Sequence, residues 1–259
     1  MQAPIPNVKN GVLRTLEPED LALINGHLSL VDLKRGAVLS NLNVPTEYTL
    51  FVEDGVLSVA AASPAGRAVE VLKIGREGFF GMPALLSVKP SVTATVQMAG
   101  QGHMIRGEVL TTLMNKRPTI CTALMCYVSV SMAQTAETAF AHAVGTLRQK
   151  IARWILMTLD RIDDVVFPFT HEELARMLGA RRASVTIGVQ ELEGTGAIAV
   201  GRALITLRDR ALLTKSAGEG YGIIFPRPQT NLKICAQAVD NVDSEAFTRR
   251  SEGGPTVRS

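Results

Sequence analysis

Histidine and cysteine are scarce in this chain, and their scarcity removes whole classes of chemistry. The four histidines among 259 residues, His27, His103, His142 and His171, are too scattered to form a recognisable metal set, so neither metal nor cofactor is expected. Cys121, Cys126 and Cys235 make no C-x-x-C pair and leave an odd thiol in any disulfide scheme. With no signal-peptide pattern at the N-terminus, that usage points to a reducing cytoplasm. No Ser-His-Asp or Cys-His constellation is visible, which argues against an enzyme. Apolar runs are broken before the roughly 18 residues that mark a membrane span, and no repeat of fixed period occurs. Charge of one sign is lacking too: 27 Lys+Arg against 24 Asp+Glu leave only +3, so any nucleic-acid surface must be local.

What the chain does have changes character along its length. Residues 1–18 carry Pro4, Pro6, Asn7, Asn10, Gly11 and Pro18, too many breakers for a stable element, and read as a loosely held, flexible arm. Glu17-Pro18-Glu19-Asp20 then leads into a short helix with acids near its positive end. From Val31 to about Arg106 short apolar runs (37–42, 48–52, 56–61, 68–74, 92–98 and 103–105) alternate with glycines, the pattern of a sandwich or jelly roll. Asp54-Gly55 between two such runs carries the D-G signal of a β-hairpin. Roughly 108–162 is helical. Its longest segment, about 119–140, sets Ile120, Leu124, Tyr127, Val128 and Met132 on one side with small residues elsewhere, and a helix apolar on more than one side needs a second partner, as a dimer helix does. A break is expected at 140–145, then a helix over 146–162 with Arg148, Lys150 and Arg153 exposed. Cys121 and Cys126 lie about 140° apart on a helix, so they share no face and read as packing thiols; pairing of either with its twin across a two-fold axis is the redox alternative.

The most informative stretch is 167–207. Thr170-His171-Glu172-Glu173 fits a capping box, Leu174, Met177 and Leu178 give one apolar face, and Gly179 suits the left-handed position that ends a helix. Arg181 and Arg182 open a second helix in which Val185, Val189 and Leu192 recur at helical spacing. Two short helices about a glycine turn, the second entering with arginines, are the parts of a helix-turn-helix. With the apolar face turned inward, Arg182, Ala183, Ile187 and Gln190 point to the groove; arginine suits a guanine edge and glutamine an adenine. Arg181 joins that basic helix start. Ser184, Thr170 and His171 are placed for phosphate, which positions without specifying. The runs 197–200 and 204–207 flank Gly201-Arg202 as a hairpin wing, with Arg202 at its tip for a backbone contact, and Asp209 caps a last short helix.

Together these parts resemble the Crp/Fnr family of bacterial transcription regulators over about residues 20–217. The resemblance rests on F-V-E-D-G-V-L-S-V (51–59), G-R-E-G-F-F-G-M-P-A-L-L (75–86), L-R-Q-K-I-A-R-W-I-L (147–156) and the helix-turn-helix with its wing. It implies an α+β fold with a cyclic-nucleotide-binding-like β-roll or jelly roll, a long central dimerisation helix and a C-terminal winged helix-turn-helix. The boundaries follow: arm 1–18, sensor β-roll 19–110, dimerisation helix and hinge 111–145, DNA-binding domain 146–217, and a partly disordered tail 218–259. It implies a homodimer on a palindromic site in double-stranded DNA, contact with RNA polymerase, no membrane, and an effector of unknown identity. Phe80, Gly81, Met82, Ser91 and Thr93 fall at the family's effector positions. Cyclic-nucleotide binders carry an acid and an arginine there; this chain has Met82 and Pro90-Ser91-Val92-Thr93, with Lys89 as the nearby cation. Ala183 and Ile187 likewise replace a signature acid and arginine of the recognition helix, so familiar operators do not transfer. A cyclic-nucleotide-responsive regulator, a signalling module that does not bind DNA, and a jelly-roll metalloenzyme are the alternatives; the last would need ligands beyond His103 in the strand region.

Overall fold

The structure, a computed structural model, describes residues 8–63 and 66–222; residues 1–7 of the expected arm, Cys235 and most of the expected tail lie outside them. The described part of the arm is not loose: Val12 and Leu13 are buried in the roll core, and Asn10 Nδ2 donates to the Val52 and Gly78 carbonyls at 2.8 Å, long-range contacts that a count of breakers does not reveal. After helix α1 (Pro18–Asn25) come eight strands, β1 (Ser29–Leu33), β2 (Val38–Ser40), β3 (Tyr48–Val52), β4 (Val56–Ala62), β5 (Ala68–Ile74), β6 (Phe79–Phe80), β7 (Thr93–Met98) and β8 (Gly100–Arg106). They form two antiparallel four-stranded sheets, ordered β1-β8-β3-β6 and β2-β7-β4-β5. Phe51, Val52, Leu57, Val59, Ile74, Ala94, Val96 and Ile105 fill the space between the sheets. Alternation along the strands carries that core: in β7 Ala94 and Val96 are buried while Thr93 and Thr95 turn outward.

The D-G hairpin is not formed. β3 pairs with β8 and β6, whereas β4 pairs with β5 and β7, so Asp54-Gly55 carries the chain from one sheet to the other. Residues 53 and 54 bond to Gln101 instead, with both amides donating to the Gln101 carbonyl. Gly55 has φ +87°, and a Cβ there would stand 2.6 Å from the Met98 carbonyl oxygen. A D-G turn thus supplies the sharp reversal, and the core decides which sheet receives the next strand.

Helix α2 (Met82–Leu86) interrupts the roll between β6 and β7, and α3 (Gly107–Lys116) leads from it into α4 (Pro118–Val144). Pro118 takes the first turn of α4, where an amide would go unpaired. Ile120, Leu124 and Tyr127 pack on the roll, but Met132 is 69% exposed and lies on another side. The helix also runs through most of the expected break at 140–145, as far as Val144, leaving only Gly145 and Thr146 as the joint. By length and composition α4 is the one helix among the described residues that could cross a membrane. Its polar groups are spent inside the protein, however: Gln134 Nε2 donates to the Lys73 carbonyl at 3.0 Å, and Thr138 receives Arg153 at 3.0 Å. Cys126 is buried in α4 and Cys121 half-buried.

The second core belongs to α5 (Leu147–Leu159), α6 (His171–Leu178), α7 (Arg182–Gly194) and α8 (Arg210–Ala217), with the three-stranded sheet β10-β11-β9 (Ile198–Gly201, Leu204–Leu207, Val166–Pro168). Thr146 and Gln149 close a full capping box at the start of α5. At Thr170 only half of the expected box exists: the Glu173 amide donates to Thr170 Oγ1 at 3.1 Å, while the Glu173 carboxylate pairs with Arg35 of the β-roll at 2.8 Å.

Candidate nucleic-acid interface and sensor cavity

Gly179, with φ +62°, ends α6 as the sequence predicts, and α7 begins two residues later with Arg181 as its N-cap. Val185, Val189 and Leu192 are buried, and they fix which side of α7 remains outside. Arg181, Arg182, Ala183, Ile187 and Gln190 are all exposed on it, with Ser184 half-buried beside them. The helix start therefore presents two guanidinium groups where the helix dipole is positive, an arrangement that suits a polyanion. Thr170 is exposed at the N-cap of α6. His171 is turned inward by comparison: its Nδ1 lies 3.1 Å from Thr186 Oγ1, its ring meets Phe169 edge-on at 5.3 Å, and its Nε2 is buried without a hydrogen-bond partner. That ring braces α6 against α7. Arg202 is exposed in the two-residue turn between β10 and β11, next to Ala203 at φ +59°.

The five candidate effector residues do not converge. Phe80, Gly81 and Met82 line a cavity of about 510 Å³ between the roll and α4. Gly81 has φ +119°, and a Cβ would sit 2.5 Å from the Tyr48 carbonyl oxygen, so the chain passes there only as glycine. Ser91 is exposed, and Thr93 lies on the outward side of β7, where it lines a separate cavity shared with α6; Val92 takes its place in the first. A one-residue offset on a strand exchanges the two faces, and that is the error in the expectation.

A polar junction joins the two domains, and sequence reading missed it. Arg161 is buried; its Nε donates to Glu77 Oε1 at 2.7 Å and its Nη2 to Gln134 Oε1 at 2.7 Å. Lys73 is fully buried, with Nζ 3.4 Å from Glu70, 2.5 Å from Gln97 Oε1 and 4.0 Å above the Trp154 ring. Burial, only partly offset by Glu70, holds its pKa down at about 8. Arg153, expected on the surface, is buried; it donates from Nε to the Gly220 carbonyl at 2.7 Å and from Nη2 to Thr138. Helical spacing shows only that Arg153 leaves the apolar face of α5; it does not show that another domain covers that side.

An eight-stranded roll, a long helix and a winged helix-turn-helix define a two-domain regulator architecture. Residues 149–216 match the Crp-like helix-turn-helix domain, so the C-terminal part of the chain is such a domain. Across the chain the similarity is to the HTH-type transcriptional regulator Cmr of Mycobacterium tuberculosis, 24% identical over 78% of this chain and 82% of Cmr. The CRP-like cAMP-activated global transcriptional regulator of the same organism is 21% identical over 80% of this chain and 96% of its own. Among solved structures, a CRP/FNR-family transcriptional regulator from Thermus thermophilus superposes with TM-score 0.60 at 25% identity, covering 73% of this chain and 98% of that one. The c-di-GMP responsive regulator CLP of Xanthomonas campestris does so with TM-score 0.61 at 17% identity, covering 74% and 99%. The fold of this chain, roll, long helix and winged helix-turn-helix alike, is that of the Crp/Fnr transcription regulators.

Proposed function

We propose that the chain is a DNA-binding transcription regulator that acts as a homodimer, reads a palindromic operator through α7, and takes its signal at the β-roll. The observation that carries the DNA reading is the exposed stripe Arg182, Ala183, Ile187 and Gln190 on a helix whose opposite side is fully engaged in its domain core. The dimer reading is supported by α4. Met125, Ser129, Met132, Ala136, Ala139 and Ala143 are exposed and follow one another at steps of four and three residues, the spacing of a coiled-coil seam. Small side chains along most of that stripe let two helices approach closely. Two recognition helices related by a two-fold axis would reach successive major grooves roughly 34 Å apart. Contact with RNA polymerase belongs to the same reading.

The names of two relatives raise cyclic nucleotides as signals. Among the described residues no basic side chain lines the roll cavity to meet such a ligand, and Lys89 is exposed outside it. The reading is tested with an operator selected from genomic fragments by the purified protein. Arg182→Ala should lose specific protection in footprinting, at a cost of roughly 1–3 kcal/mol per half-site. Affinity should fall steeply as salt rises, because phosphate contacts release counterions. Unchanged footprints from Arg182→Ala would remove that residue from the interface, and no retention on DNA at low salt would remove the function.

A further inference from the structure

The geometry points to a small, uncharged and largely apolar ligand for the β-roll cavity, closed in by the α4 helix of a second copy. This rests on the reading of the roll as the sensing part of a dimeric regulator. At about 510 Å³ the cavity has the size of a small-molecule site, for which roughly 300–1,000 Å³ is usual. Leu72, Phe80, Met82, Val92, Val128 and Met132 are among the apolar residues of its wall, and among the described residues no acidic or basic side chain lines it. The hydroxyls present are those of Tyr127, Ser131 and Thr135. Ser131 Oγ donates to the Tyr127 carbonyl at 2.9 Å and Thr135 Oγ1 to the Ser131 carbonyl at 2.9 Å, so both have committed their protons and offer lone pairs only. Burial first, and Glu77 second, push the Tyr127 phenol far above its ordinary range, so it stays neutral.

An ionised phosphate or carboxylate would enter this space without a counter-charge, and taking an unpaired charge out of water is strongly unfavourable. An uncharged molecule keeps the whole benefit of apolar burial, roughly 25 cal/mol per Å². A single O–H or N–H donor on it would find the Ser131 and Thr135 oxygens. Met132 belongs both to the cavity wall and to the exposed seam of α4. An occupant therefore touches the surface on which the second copy would rest, which links ligand to dimer geometry.

The full-length protein is titrated with N-phenyl-1-naphthylamine, an uncharged fluorophore, with 1-dodecanol, dodecanoate and cyclic AMP as competitors. The expected result is saturable micromolar binding of one probe per subunit, displaced by dodecanol, displaced ~10-fold less well by dodecanoate, and not displaced by cyclic AMP. Val92→Trp on the roll and Val128→Trp on α4 fill the cavity from different walls and should each weaken the probe by ~10-fold or more. Thermal melts by circular dichroism identify any variant that fails to fold, and the other then carries the comparison. The inference is overturned by any of three results from a protein that is dimeric and binds DNA: no saturable probe binding, undiminished binding in the folded tryptophan variants, or displacement by cyclic AMP or dodecanoate as effective as by dodecanol. A protein that is monomeric and ignores DNA overturns the functional reading beneath it.

Discussion

On the groove side of α7, Ile187 stands 57% exposed among polar neighbours. A branched apolar side chain in that position has nothing to hydrogen-bond, but it matches the C5 methyl of thymine, the one apolar group on the floor of the major groove. Replacing thymine by uracil at the symmetric operator positions facing Ile187 removes only that methyl. The expected loss is about 0.8 kcal/mol per half-site, roughly fourfold. Ile187→Ala should bind the thymine and uracil operators with nearly equal affinity while keeping the guanine preference proposed for Arg182. Mobility shifts on the two duplexes decide it, and a full methyl effect retained by Ile187→Ala would assign thymine reading elsewhere. Which side of α7 stays exposed was legible in the sequence because it follows from the three buried positions Val185, Val189 and Leu192 alone. At Arg153 the same logic failed, since its surroundings belong to α4 and the segment after α8.

Elements obey a mixture of local and distant constraints. Gly78 sits in the turn before β6, and a Cβ built on it would lie 2.0 Å from Tyr127 Cζ. The Tyr127 ring in turn packs on Phe79, with centroids 5.1 Å apart. Gly78→Ala should therefore destabilise the roll by about 1–3 kcal/mol, the usual cost of forcing atoms into a packed site. Gly78→Ala combined with Tyr127→Leu should recover part of that loss, measured as urea midpoints of the four proteins; strictly additive effects would show that the contact does not matter. The sequence placed six of the eight roll strands and the longer helices close to where they lie, because period-2 and period-3.6 patterns are local; β1, β6 and α2, which are short or carry no clear alternation, were not read. The pairing of β3 with β8 was not read either, because a D-G turn fits a hairpin and a sheet crossover equally well. The missing half of the Thr170 capping box has the same origin: Arg35, distant in sequence, claims the Glu173 carboxylate. Alternation placed Thr93 on one face of a strand, but only the sheet order says which face meets α4.

At the scale of the whole molecule, the proposed passage of a signal from the roll to DNA would cross two surfaces. The first is the junction of roll and DNA-binding domain around Lys73. Its folded pKa of about 8 lies below the unfolded value of 10.5, so the unfolded chain holds more protons between them and stability rises with pH across that window. Above the unfolded value Lys73 is neutral in both states. As pH falls through about 8, the buried site must accept a charge, costing about 3 kcal/mol. Lys73→Met lacks this term, so the stability of the wild type relative to Lys73→Met should climb between about pH 8 and pH 10 in urea titrations. A constant difference would mean that the lysine is solvated. The second surface is the seam of α4, where Ala136 lies near the middle of the exposed stripe. Ala136→Glu sets two carboxylates against each other across a two-fold axis, and like charges brought out of water repel strongly. The side chain is exposed in the single subunit, so the fold should survive, with an unchanged circular dichroism spectrum. Light scattering should report a monomer, and binding to a full palindrome should drop to the level of a single half-site. Loss of dimer with full operator affinity kept would separate DNA reading from dimerisation. Loss of both with the fold intact would tie them together through α4, which lines the roll cavity, carries the proposed seam and ends at the joint at Gly145.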